Sequence, residues 1–310
     1  MVVVAGGFEL LGRERRRRLD HPIGPLHSAP ARAFAHDLDD ATVDHLAEAG
    51  VTSLRYDKRG VGASTGDYLS AGFHDNVADA RAVLETLRAR PEVDPGRVFV
   101  VGHSEGALIA SELASSGGLA GVALLAGAAR TGEEVLRWQA GQVEATLPAP
   151  VRFLLRLFGQ NIVDVQTKRL ARLRASTEDV IRVQFVKINA RWFREFMAFD
   201  PARALAAATV PVLAVTGAKD IQVDPDDVGA MGAVVSTPFS GHVVDDVTHL
   251  LRADEGTPSV RTYKKQATRP LDDRVVSLVV GFVSDSDVTG APHRGRSADQ
   301  PACGRGRGPT

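Results

Sequence analysis

Arg97-Val98-Phe99-Val100-Val101-Gly102-His103-Ser104-Glu105-Gly106-Ala107-Leu108-Ile109-Ala110 is the stretch whose reading decides the fold. Val98 to Val101 is a short apolar run with the β-branched and aromatic content of an interior strand. The residues after Gly106 continue as a helix. Between the two, Gly102 and Gly106 bracket Ser104 in the pattern G-x-S-x-G. A serine held in so tight a strand-to-helix turn sits on strained backbone, and the glycines relieve crowding from the adjoining strand and helix. Its hydroxyl then projects from the carboxyl end of the sheet, and the amide of Glu105, at a helix N-terminus, points at a developing oxyanion. The chain carries its own control. Gly62-Ala63-Ser64-Thr65-Gly66 fits the same pattern but follows Asp57-Lys58-Arg59 and precedes Asp67-Tyr68, so no strand feeds it and no helix leaves it. That copy is predicted to be a surface turn.

Strand-like and helix-like segments alternate on both sides of Ser104. Val2-Val3-Val4 reads as a strand, and Phe34 to Ala49 as a helix with Leu38, Val43 and Leu46 inward, stopped by Gly50. Val51 to Tyr56 is the next strand. Asp75 to Arg90 is a helix with Val77, Leu84 and Leu87 on one face, ended by Pro91 and Pro95-Gly96. Strands follow at Val122 to Leu125, Pro211 to Val215 and near Val234 to Pro238, and an amphipathic helix at Arg274 to Val283. This rhythm predicts an α/β fold, a mostly parallel sheet with helices on both faces. Catalytic groups in such sheets lie beyond the carboxyl ends of the strands.

The rhythm breaks between residues 131 and 200. Val151, Leu154, Leu155 and Phe158 recur at helical spacing, as do Ile181, Phe185, Ile188 and Trp192, amid Trp138, Phe153, Phe193, Phe196 and Phe199. The expected organisation is a core of residues 1–130 and 201–284, a helical cap insertion at 131–200, and a disordered tail at 285–310. The cap would exclude water and offer an apolar wall to an acyl chain, while many of its large side chains form its own core. Phe8 to Arg32, with Arg13 and Arg15 to Arg18, is expected to be a solvated loop, because like charges in sequence repel.

Composition excludes several function classes. With 310 residues and a formal net charge of −1, nothing advertises a nucleic-acid partner. The single cysteine, Cys303, rules out an internal disulfide and any multi-cysteine metal site. Apolar runs are too short to span a bilayer, and a short apolar start before the arginines reverses the order of a secretory signal. A cytoplasmic location is expected. The glycine-punctuated turn Asp57 to Ser64 lacks both the Gly-Lys-Ser/Thr ending of a P-loop and the G-x-G-x-x-G fingerprint, which argues against nucleotide binding.

A serine hydroxyl is a weak nucleophile near neutral pH and needs an adjacent base, which in turn needs an orienting carboxylate. Asp220 lies immediately past a strand end, and His249 lies on a loop after the following strand. Asp224, Asp226, Asp227 and His242 are the competitors. His103 adjoins Ser104, but neighbours in a tight turn diverge. This chemistry requires no cofactor and no metal.

At these residues the chain resembles the α/β-hydrolase superfamily, particularly bacterial acyl-ester hydrolases of the dienelactone-hydrolase and prolyl-oligopeptidase-like branch. The resemblance rests on Leu54-Arg55-Tyr56-Asp57-Lys58-Arg59-Gly60-Val61-Gly62-Ala63-Ser64, Gly102-His103-Ser104-Glu105-Gly106, Gly217-Ala218-Lys219-Asp220 and Val247-Thr248-His249. It implies Ser104 as nucleophile, Asp220 as acid, His249 as base and the Glu105 amide as one oxyanion donor. Gly7, in Gly6-Gly7-Phe8, is the implied second donor. Two departures from the family pattern are expected: the pair of strands that usually precedes the one at Val2 to Val4 is absent from this sequence, and Arg13 to Arg18 does not look like the family. The implied activity is a serine hydrolase cleaving a carboxylic ester or related acyl bond in a small molecule. A peptidase or thioesterase with the same triad, or a catalytically impaired binding protein on this scaffold, is the alternative.

Overall fold

The computed structural model describes residues 2–5, 45–62, 64–147, 150, 153, 157, 161–183 and 185–284. In chain order its elements begin with β1 (Val2–Ala5), β2 (Ser53–Arg55), α1 (Phe73–Arg88), β3 (Phe99–His103), α2 (Glu105–Leu113) and β4 (Gly121–Leu125). Next come α3 (Gly132–Thr146), α4 (Ile162–Ala175), β5 (Val180–Val183), β6 (Val186–Asn189), α5 (Ala190–Ala198) and α6 (Pro201–Ala206). The chain closes with β7 (Val212–Gly217), α7 (Asp227–Val234), β8 (Phe239–Val244), α8 (Tyr263–Gln266) and α9 (Asp273–Ser284). Gly7, the arginine cluster, Leu38 and Val43, the residues Val151, Leu154, Leu155 and Phe158, and residues 285–310 lie outside the described residues.

The main sheet has the order β2-β1-β3-β4-β7-β8, with every adjacent pair parallel. A sheet covered on both faces reads as continuous apolar sequence, and every residue of β3 and β4 is buried. Alternate residues feed two separate cores, as the period of two in a strand demands. Val98, Val100, Val122, Leu124, Val212 and Ala214 pack with α1, α2 and α5. Phe99, Val101, Ala123, Leu125, Leu213 and Val215 pack with Leu46 and with Val275, Val276, Val279 and Val283 of α9. The helical turn at 45–48 ends as its glycine predicted: Gly50 takes φ +73° and Val51 N donates to Leu46 O at 2.7 Å. Among the described residues no helix is long and apolar enough to cross a membrane.

Two expectations need correction. The segment containing Ile181, Phe185 and Ile188 is not helical: β5 and β6 form an antiparallel hairpin in which Ile181 faces Ile188. The spacing that mimicked a helix comes from two strands and the start of α5, whereas the β-branched Val180-Ile181 and Val183 favour extended backbone. The described part of residues 131–200 is therefore mixed in secondary structure rather than wholly helical. The strand expected near Val234 to Pro238 begins instead at Phe239, because Val234 ends α7.

Between β4 and β7 a small separate cluster is built from Leu170, Leu173, Ala190 and Met197. Helix α5 also belongs to the main core, where Trp192, Phe196 and Phe199 pack with Phe73 and the sheet. Asn189 caps α5 by accepting from Trp192 N at 2.9 Å, and its amide donates to the carbonyls of Tyr68 and Ala71. Glu195 accepts from His74 N at 2.9 Å, and Arg191 pairs with Asp75 at 3.0 Å, which staples α5 to the start of α1.

Candidate active site

Ser104 occupies the turn between β3 and α2 with φ 55° and ψ −114°, backbone that a residue with a side chain seldom adopts. Its amide donates to Leu125 O at 2.9 Å, which extends the β3–β4 ladder into the turn. Gly102 is what lets α2 close over β3: a Cβ there would collide with the backbone carbonyl of Gly106 and the amide of Ala107. The control copy behaves as predicted. Gly60, Gly62 and Gly66 all have positive φ, and Ser64 Oγ donates to Asp57 O at 2.6 Å within a turn, with neither strand nor helix attached.

The structure brings Ser104, His249 and Asp220 together at the carboxyl end of the sheet. His249 Nε2 lies 3.1 Å from Ser104 Oγ, and His249 Nδ1 lies 2.8 Å from Asp220 Oδ2. Asp220 and His249 are 4% and 3% exposed, so this chain of hydrogen bonds is largely shielded from water. Asp220 sits in a turn just past β7, where its other oxygen accepts from the amides of Gln222 at 2.7 Å and Val223 at 2.9 Å. Those two donors orient the carboxylate before it meets the imidazole.

The loop carrying His249 is tied on several sides. Lys219 N donates to Val247 O at 2.9 Å, and Thr248 Oγ1 donates to the buried Gln266 at 2.7 Å. Gly217 permits this approach, since a Cβ there would strike the carbonyl of Val247. The buried Arg252 guanidinium donates to Arg269 O at 2.8 Å. His103 diverges from Ser104 yet does not leave the site. Its ring packs on His249 with centroids 5.0 Å apart, and its Nε2 donates to His249 O at 2.7 Å.

Three of the four competitors are engaged elsewhere, and the fourth, Asp226, is exposed just before α7. Asp224 and Asp227 pair with Arg130 at 2.6 and 3.1 Å, and His242 bonds to Ser240 from within β8. Burial raises the Asp227 carboxyl to about 6 despite the attraction of Arg130. Burial likewise holds the Tyr263 hydroxyl protonated well above the usual phenol range, with the charge of Asp220 adding to the shift. Among the described residues no group of three or more His, Cys, Asp or Glu side chains is arranged to hold a metal ion.

Sequence reasoning missed the surroundings of Glu105. Glu105, directly after Ser104, is 3% exposed, and its carboxylate lies 2.6 Å from Lys58 Nζ. Asn76 Nδ2 and Trp192 Nε1 donate to the same group at 2.8 and 2.9 Å. One signal was available. A carboxylate that the G-x-S-x-G turn forces inward requires a cation, and Lys58, beyond the end of β2, is on the same rim of the sheet.

The sequence profile of the family described as "Serine aminopeptidase, S33" matches residues 37–255. Esterase EstD of Thermotoga maritima is 27% identical over 245 residues, covering 77% of this chain and 54% of EstD. The chain thus spans about half the length of that curated relative. Est1E of Butyrivibrio proteoclasticus, solved with ferulic acid bound, superposes with a TM-score of 0.52 at 18% identity, covering 79% of each chain. The proline iminopeptidase of Mycobacterium smegmatis does so with a TM-score of 0.50 at 18% identity, covering 83% of this chain and 92% of that one. At such identities these two structures speak to the fold alone.

Proposed function

The chain belongs to the serine aminopeptidase S33 family of α/β hydrolases, and from that footing we propose that it is a serine hydrolase cleaving carboxylic esters of small molecules. The observation that supports this most directly is the unbroken run from Ser104 Oγ through His249 to Asp220, at 3.1 and 2.8 Å. Ser104 Oγ attacks the ester carbonyl while His249 Nε2 removes its proton. Asp220 holds the other ring nitrogen as a donor and stabilises the imidazolium that forms. The oxyanion of the tetrahedral intermediate is met by the amide of Glu105, the first residue of α2, whose N–H has no partner within the helix. On collapse the alcohol leaves with the proton from His249. Water then attacks the acyl-enzyme by the same steps in reverse, with His249 again as base. Gly7 is the proposed second oxyanion donor.

Ester cleavage draws support from the likeness to Esterase EstD. The family description supports a second reading, an aminopeptidase acting through the same three side chains. The insertion at 131–200 serves as the cap in either case, and a cytoplasmic location fits a chain with one cysteine. A fluorophosphonate probe should label wild-type protein at Ser104 and leave Ser104→Ala unlabelled; equal labelling of both removes the assignment. Turnover of short-chain p-nitrophenyl esters but not of aminoacyl p-nitroanilides selects the esterase, and the opposite pattern selects the peptidase.

A further inference from the structure

We infer that the Glu105 side chain is a positioning group for the oxyanion-facing amide of its own residue, and that the insertion takes part through Trp192. This rests on the assignment of Ser104 as nucleophile and of the Glu105 amide as oxyanion donor. The direction of that amide follows from ψ of Ser104 and φ of Glu105, and Ser104 stands in a backbone conformation that relaxes unless its surroundings hold it. The Glu105 carboxylate is what its neighbours grip. Lys58 Nζ binds Oε2 at 2.6 Å, while Asn76 Nδ2 and Trp192 Nε1 bind Oε1 at 2.8 and 2.9 Å.

These three donors come from three separate parts of the molecule: the loop after β2, helix α1 and helix α5 of the insertion. Three fixed points on one buried carboxylate leave the Glu105 Cα little room to rotate, so the amide stays aimed at the reacting carbonyl. Lys58 also neutralises a carboxylate one residue from the developing oxyanion, which would otherwise repel it. Asn76 and Trp192 are 7% and 6% exposed, and Trp192 stacks on Phe196 with centroids 4.6 Å apart and planes at 17°. The donors are themselves held, as a positioning shell must be.

Trp192→Phe removes the Nε1–H while keeping the stack. Glu105→Gln keeps an acceptor for Asn76 and Trp192 but turns an amide toward the Lys58 ammonium. Both variants are to be assayed on p-nitrophenyl acetate, with kcat expressed per fluorophosphonate-titrated site, and with the affinity for a boronic acid that forms a tetrahedral adduct on serine. The expected result is a roughly three- to tenfold fall in kcat in each variant, with KM within about twofold of wild type and boronate affinity weakened in parallel. Glu105→Gln also leaves the Lys58 ammonium without its carboxylate and lowers thermal stability; in Lys58→Met/Glu105→Gln that stability returns while kcat stays low. If the carboxylate merely braces the fold, kcat per titrated site and boronate affinity stay within twofold of wild type, and the inference is overturned. A rise in kcat for Glu105→Gln, as bare electrostatics would give, also overturns it. Failure of the wild-type protein to label at Ser104 removes the underlying assignment instead.

Discussion

Asp220 differs from Asp224 and Asp227 in what its two oxygens meet. One oxygen takes two backbone amides and the other takes His249 Nδ1, whereas its neighbours turn to Arg130. Asp220→Asn would keep an oxygen for the amides of Gln222 and Val223 and present an NH2 to the imidazole. On the proposed mechanism this imposes the wrong tautomer, so kcat should fall by about 10⁴-fold while the fold stays intact. Steady-state rates beside circular dichroism would check both halves of that statement. The G-x-S-x-G pattern singled out Ser104, because its meaning is local steric strain. Nothing local could show that His103 lends its Nε2–H to the backbone of His249, across 146 positions in sequence.

At the scale of elements, glycines mark where backbone meets backbone. Gly102→Ala would push Gly106 and Ala107 out of the turn, so this variant should express poorly and fail to label with fluorophosphonate. Gly141 provides the contrast: it lies inside α3, where an added Cβ meets nothing within 4 Å. Gly141→Ala should raise stability by about 0.5–1 kcal/mol, readable as a higher urea midpoint with unchanged slope. The helices and strands flanking Ser104 were legible because their apolar periods and stop residues agree. The hairpin at Val180–Asn189 was not. Ile181 and Ile188 match a helical period by coincidence, Phe185 between them is exposed at the hairpin turn rather than inward, and only the pairing of Ile181 with Ile188 reveals the strands.

For the molecule as a whole, the junction of Arg130 with Asp224 and Asp227 joins the end of the β4 segment to α7. Asp227 carries a carboxyl raised from 3.8 to about 6, so between those values the folded state holds more protons than the unfolded chain. Stability contributed by this group is therefore lost as pH climbs from about 4 to about 6, and it stays lost above that range. Asp227→Asn removes the effect and leaves Arg130 its 2.6 Å partner Asp224. The variant should gain on wild type through that window, by at most about 3 kcal/mol at pH 7, less whatever the lost contact to Arg130 contributes. Melting temperatures of both proteins at pH 4.5 and 7 test this; a gap that does not widen with pH contradicts it.

What the sequence determined by itself was the strand–turn–helix at Ser104, the parallel α/β rhythm and the short set of residues from which a base and an acid could come. Each of these follows from sterics and periodicity within a few residues of chain. Position past a strand end and the family resemblance pointed to Asp220 and His249, but only tertiary structure brings them within hydrogen-bond reach of Ser104, and it alone decided that Lys58, Asn76 and Trp192 converge on Glu105. Those contacts depend on the order β2-β1-β3-β4-β7-β8, which sets distant strand ends side by side. Partners separated by 29 to 145 positions become neighbours only when that sheet is assembled.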